Sequence, residues 1–107
     1  MSEDAWSPTT LEIAPTAGGV VLSGEIDAVT APALSHRLTP LPGTGSDVSI
    51  DLAGVDFIDS RGLGVLIDAH RRALAAGRRI VLERPSPAVV RLIEISGLIG
   101  HLTLSTE

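Results

Sequence analysis

Two short stretches carry most of the side chains with chemistry to offer: Gly24-Glu25-Ile26-Asp27 and Asp59-Ser60-Arg61-Gly62. In the second, a hydroxyl stands between a carboxylate and a guanidinium, so Ser60 could serve as a nucleophile, a phosphoryl acceptor or a helix cap. The hydrolase reading fails on its frame: G-x-S-x-G needs glycine at position 58, where Ile58 stands. His36, His70 and His101 could meet Asp27 or Asp59 only through folding, since no spacing signals a triad. Their separation also matches no ligand pattern, so no metal site is expected. Glu25 and Asp27 have the form of an acid–base pair, but a solvent-facing or partner-facing pair at a strand end is the simpler account. No catalytic residue and no cofactor is assigned.

The remaining readings of Ser60 both depend on a helix beginning there. The first turn of a helix exposes about four unpaired N–H groups and a partial positive charge. Ser60, at or beside the N-cap, can accept one of those N–H bonds, a role worth about 1 kcal/mol. Gly62 leaves the backbone bare where another molecule could approach. A phosphate on Ser60 would add roughly −1.5 to −2 charges. The helix end tolerates that charge, and Arg61 can pair with it. Capping is the commoner fate of such a serine, and the residues alone leave both roles open.

Composition removes several classes. The chain has 107 residues, enough for one domain that buries roughly 65% of its unfolded surface. It contains no cysteine, which excludes disulfides, thiolate metal sites and cysteine nucleophiles. All eight basic residues are arginine, so a Walker-type phosphate loop and Schiff-base chemistry are excluded. Trp6 and Phe57 are the two aromatics, and the net charge is −5, which argues against a nucleic-acid binder. Charge is uneven along the chain: residues 1–60 hold nine acids and one arginine, residues 61–107 four acids and seven arginines. Arg71, Arg72, Arg78 and Arg79 bracket a helix end, where cations suit the dipole. No apolar run reaches the roughly 18 residues of a membrane span. The first residues also lack the form of a signal peptide, so a cytoplasmic protein without membrane association is expected.

Residues 1–10 read as a flexible tail and 11–107 as the domain. Leu11 to Ala14 reads as an edge strand ended by Pro15, and Val20 to Ser23 as a strand ended by Gly24. Thr30 is the expected N-cap of a helix that carries Leu34 and Leu38 and stops at Pro40 and Pro42. Val48 to Leu52 is a strand broken by Gly54, and Val55 to Ile58 leads to the Ser60 motif. Leu63, Leu66, Ile67, His70, Ala73 and Leu74 then fall at helical spacing, with Gly77 as the stop. Arg79 to Leu82 is a buried strand, Ser86 caps a helix ended by Gly97, and His101 to Leu104 can form a last strand. This alternation predicts an α/β fold: a single mixed sheet of about four to five strands with helices packed on it.

Three segments taken together, LSGEIDAVTAPAL, VSIDLAGVDFIDSRGLGVL and SPAVVRLIEISGL, resemble the STAS domains of bacterial anti-sigma factor antagonists. The resemblance runs in order from about residue 11 to the end of the chain. It implies a partner switch. The unphosphorylated antagonist binds an anti-sigma factor that is also a serine kinase with a histidine-kinase-like ATPase domain, and so frees a sigma factor. The kinase then phosphorylates the antagonist and releases it, and a PP2C-type serine phosphatase resets it. Carried onto this chain, the resemblance makes Ser60 the phosphoacceptor. It places Asp27, Asp59, Ser60, Arg61, Gly62 and Leu63 in the partner-binding surface of a protein that is monomeric alone. Arg61 departs from the small residue common in the family. Two other readings remain: a non-switching STAS scaffold of a transporter ATPase or stress-signalling complex, and a nucleotide-binding or weakly hydrolytic domain.

Overall fold

The computed structural model describes residues 11–39, 47–96 and 103–105. The expected tail over 1–10, the prolines at 40 and 42, the stop at Gly97 and His101 lie outside the described residues.

Five strands form one mixed sheet in the order β1-β2-β3-β4-β5: Leu11–Thr16, Gly19–Ile26, Val48–Ile58, Ile80–Glu83 and Thr103–Ser105. β1 and β2 are an antiparallel hairpin, and every later pair is parallel. The parallel connections run through α1 (Ala31–Leu38), α2 (Ser60–Ala75) and α3 (Pro87–Ser96). A strand order that never reverses, joined by crossovers of the usual right hand, places all three helices on one face. Burial follows that layout. Val20, Leu22 and Ile26 of β2, Val48, Ile50, Leu52, Val55 and Ile58 of β3, and Ile80 and Leu82 of β4 pack against Leu34, Leu66, Val89 and Ile93 of the helices. Each fully buried leucine or isoleucine contributes about 2 kcal/mol of transfer free energy. The other face, with Val21, Ser23, Ser49 and Val81, stays partly open.

Two glycines expected to end strands do not. β2 continues through Gly24 to Ile26 and β3 through Gly54 to Ile58, with register shifts between Val21 and Ser23 and between Gly24 and Glu25. The irregular pairing keeps the ladder alive where an isolated strand would stop, as β-bulges do. A side chain at Gly54 would meet Ser23 Cβ at 2.8 Å, so glycine is required there for close strand approach. Pro15 lies inside β1 rather than after it, a position open to proline because β1 is an edge. At the end of β4, Arg84 takes a left-handed backbone and pairs with the buried Asp51, whose Oδ1 also accepts from Ala53 N–H.

α2 positions the Ser60 region. Its inward stripe is Leu63, Leu66, Ala69, His70 and Ala73, and it ends in a Schellman motif. Gly77 has φ +78°, its N–H donates to Leu74 C=O, and Arg78 N–H reaches back to Ala73 C=O at 2.8 Å. Leu74, read as part of the stripe, is instead 52% exposed, because Ala73 takes the inward position at that turn.

Candidate functional site

The C-terminal ends of β2 and β3 lie side by side, with Ile26 opposite Ile58. Both chains then turn into helices, and each turn is built on an aspartate. Asp27 Oδ1 accepts from Val29 N–H (2.9 Å) and Thr30 N–H (3.0 Å). Asp59 Oδ1 accepts from Arg61 N–H (2.9 Å) and Gly62 N–H (3.0 Å). The turns are tied together, since Asp59 N–H donates to Ile26 C=O at 3.0 Å.

This corrects the capping assignment. Asp59, with extended backbone (φ −109°, ψ −174°), is the N-cap of α2, and Ser60 is its first helical residue. The Ser60 hydroxyl is exposed and, among the described residues, engages no protein group. Thr30 holds the N-cap position of α1 without capping it. Its hydroxyl donates to Glu25 C=O (3.0 Å) and accepts from Asp27 N–H (2.9 Å).

Two further assignments change. Gly62 is buried, and a Cβ there would lie 2.4 Å from Ile26 Cγ2 and 2.8 Å from Ile26 C=O. Its bare backbone admits β2 of the same chain, not a partner. Leu63 is 2% exposed and belongs to the core, so its side chain offers no outer contact. Asp27, Asp59, Ser60 and Arg61 do come together at one end of the sheet, with Ser60 and Arg61 exposed. Two apolar residues missed by the sequence reading join them: Val29 (58% exposed) and Phe57 (47% exposed). Phe57 was recoverable from strand alternation, since Ile58 faces the core. Val29 carried no such signal.

His70 is not part of this site. It lies further along α2, buried, and its Nδ1 accepts from Ile80 N–H at 3.2 Å. That bond fixes the neutral tautomer with its proton on Nε2. Burial, and secondarily the charge of Arg79, hold the imidazole below its usual value of 6.5. His36 is exposed on α1. Among the described residues, no group of His, Cys, Asp and Glu is placed to hold a metal ion. Nor is any described helix long and apolar enough to cross a membrane.

The fold and the paired caps define a class: a small α/β module whose sheet end presents an unengaged serine at a helix start. Comparison with known proteins gives the family. Residues 9–104 match the family model described as Mlab, STAS domain. The anti-sigma-B factor antagonist of Bacillus subtilis is 36% identical over 88 residues, covering 82% of this chain and 81% of its own. An anti-sigma factor antagonist from Mycobacterium paratuberculosis superposes with a TM-score of 0.69 at 28% identity, covering 92% of this chain and 86% of that one. The fold is also that of the anti-sigma factor antagonist SpoIIAA in its unphosphorylated form, with a TM-score of 0.69, 24% identity and coverage of 91% and 89%. A phosphorylated form of the Bacillus SpoIIAA superposes at 0.64 and 23% identity, covering 91% of this chain and 92% of that one. The chain belongs to the STAS-domain family of anti-sigma factor antagonists.

Proposed function

We propose that this protein is an anti-sigma factor antagonist whose affinity for its partner is set by phosphorylation of Ser60. The observation that carries the reading is the division of labour at the start of α2: Asp59 does the capping, which leaves the Ser60 hydroxyl exposed and unengaged. The partner is an anti-sigma factor with a histidine-kinase-like ATPase domain that acts as a serine kinase, in the cytoplasm. Bound to the unphosphorylated antagonist, it releases its sigma factor. The kinase transfers the γ-phosphoryl of ATP to Ser60 Oγ, and a PP2C-type phosphatase hydrolyses the ester. The antagonist is thus a substrate and binding module rather than an enzyme. It needs no cofactor of its own and touches no nucleic acid.

The physics of release is local. A phosphoryl group on Ser60 brings about −1.5 to −2 charges next to the Asp59 carboxylate, on a rim that also carries Glu25, Asp27 and Asp56. Arg61 pairs with the phosphate and so leaves the contact surface, while the hydrated ester holds the partner off Val29 and Phe57. Gly62 and Leu63 serve the interface indirectly: one lets α2 sit against Ile26, and the other anchors the helix.

The test is a pull-down from native lysate with wild-type and Ser60→Asp protein as bait, followed by titration calorimetry with the captured ATPase. Wild type is expected to bind, Ser60→Ala to match it, and Ser60→Asp to lose at least about tenfold in affinity. A folded Ser60→Asp protein that retains wild-type affinity refutes the switch and leaves a scaffold.

A further inference from the structure

The end of the molecule opposite the Ser60 site gathers positive charge. α1 and α2 both begin at the cap end, so their last turns lie together at the other. Arg72 Nη1 contacts Thr39 Oγ1 at 3.4 Å, which brings the final turn of α1, with His36 and Arg37, beside that of α2. The Schellman turn then folds Arg78 back over Ala73. Five arginines (Arg37, Arg71, Arg72, Arg78 and Arg79) share this end with two aspartates. Arg72 pairs with Asp68 at 3.0 Å and Arg79 with Asp47 at 3.4 Å. Among the described residues, Arg37, Arg71 and Arg78 have no carboxylate partner.

The helix dipole favours cations at a helix C-terminus, and an exposed apolar side chain stands among them here. Leu74 is half exposed, and it lies one turn from Arg71 on the same side of α2. An exposed leucine beside guanidinium groups that no carboxylate of the described residues occupies is a surface for carboxylates that arrive with an apolar residue between them.

We infer that this end of α1 and α2 is a second docking surface, which takes an acidic polypeptide segment with an apolar side chain seated on Leu74. Nucleic acid fits poorly, because the described residues of the patch include no aromatic for base stacking and the chain carries a net charge of −5. A lipid surface fits poorly as well, because one leucine is far from the broad apolar face that interfacial binding needs. The surface is remote from Ser60, so an antagonist released by its kinase can still be held in a larger assembly.

The experiment titrates the isotope-labelled full chain with a short end-capped peptide of two leucines set among glutamates, followed by amide chemical shifts. Residues 36–39 and 71–79 are expected to shift along one isotherm. Replacing the glutamates by glutamines should weaken binding by about tenfold or more, and Arg71→Glu with Arg78→Glu should do the same. Leu74→Ser should weaken it severalfold, and Ser60→Asp should leave it unchanged. Melting curves of the variants establish that they fold, and the glutamine peptide tests the charge requirement on the unaltered protein. The inference is overturned by absence of shifts at saturating peptide or by shifts centred on residues 25–29 and 57–61. Equal binding of the two peptides would also overturn it, as would tighter binding to heparin or to phosphatidylglycerol vesicles than to the acidic peptide.

Discussion

Thr30 and Ser60 occupy matching places in the molecule and have opposite fates. Each hydroxyl residue stands at the start of a helix that follows a parallel strand, and each has an aspartate just upstream that accepts two backbone N–H groups. Thr30 comes three residues after its aspartate. It is 1% exposed, and its hydroxyl bridges Glu25 C=O and Asp27 N–H. Ser60 comes directly after its aspartate, faces solvent and, among the described residues, bridges nothing. The contrast shows that a hydroxyl at a helix start is chemically available when a neighbour has already satisfied the backbone. A serine that capped its own helix would have to give up that bond each time it was modified.

Substitutions around the two turns test this division of labour, beginning where packing is tightest. Gly62→Ala places a methyl against Ile26 and should destabilise the fold by about 3 kcal/mol, read as a lower urea midpoint. Its counterpart Gly64→Ala meets nothing within 4 Å and should instead raise the midpoint slightly, as expected for alanine in a helix. Thr30→Ala strands Asp27 N–H and should remove about 2 kcal/mol. Asp59→Ala should remove about 1 kcal/mol through loss of the cap, whereas Ser60→Ala should stay within about 0.5 kcal/mol of wild type. If Ser60→Ala proves as damaging as Asp59→Ala, the division of labour between them is wrong.

Stability also depends on pH through His70. Because the folded protein holds His70 below its usual value, the unfolded chain takes up a proton at higher pH than the folded one. Stability should therefore be level above about pH 6.5 and decline as the pH falls from there toward the folded value. His70→Gln should remove that component from the urea midpoint measured across this range.

The parts of the fold that were legible in the sequence were those set by local chemistry. α2 shows in its periodicity and in Gly77, whose φ of +78° few other residues adopt readily, and α3 shows in Ser86, which caps it through Val89 N–H. β2 and β3 were read too short because Gly24 and Gly54 look like breakers, and only pairing with a neighbouring strand carries a chain past them. Asp59 and Ser60 are both good capping residues, and backbone angles, invisible in a sequence, decide between them. The burial of Leu63 was visible in its helical stripe. That of Gly62 was not, because it depends on how closely Ile26 approaches.

The unreversed strand order has a consequence for how the chain folds. Each strand pairs with the strand next to it in sequence, so the sheet can grow by closing one connection at a time. Its parallel pairs, such as Gly19 with Ser49 and Val48 with Ile80, lie roughly 30 residues apart, so each crossover must close before its ladder forms and folding is expected to be slower than for a helical domain of this size. Growth in the direction of synthesis, β1 on β2 and then β3, would complete the Asp27 and Asp59 turns ahead of α3 and β5.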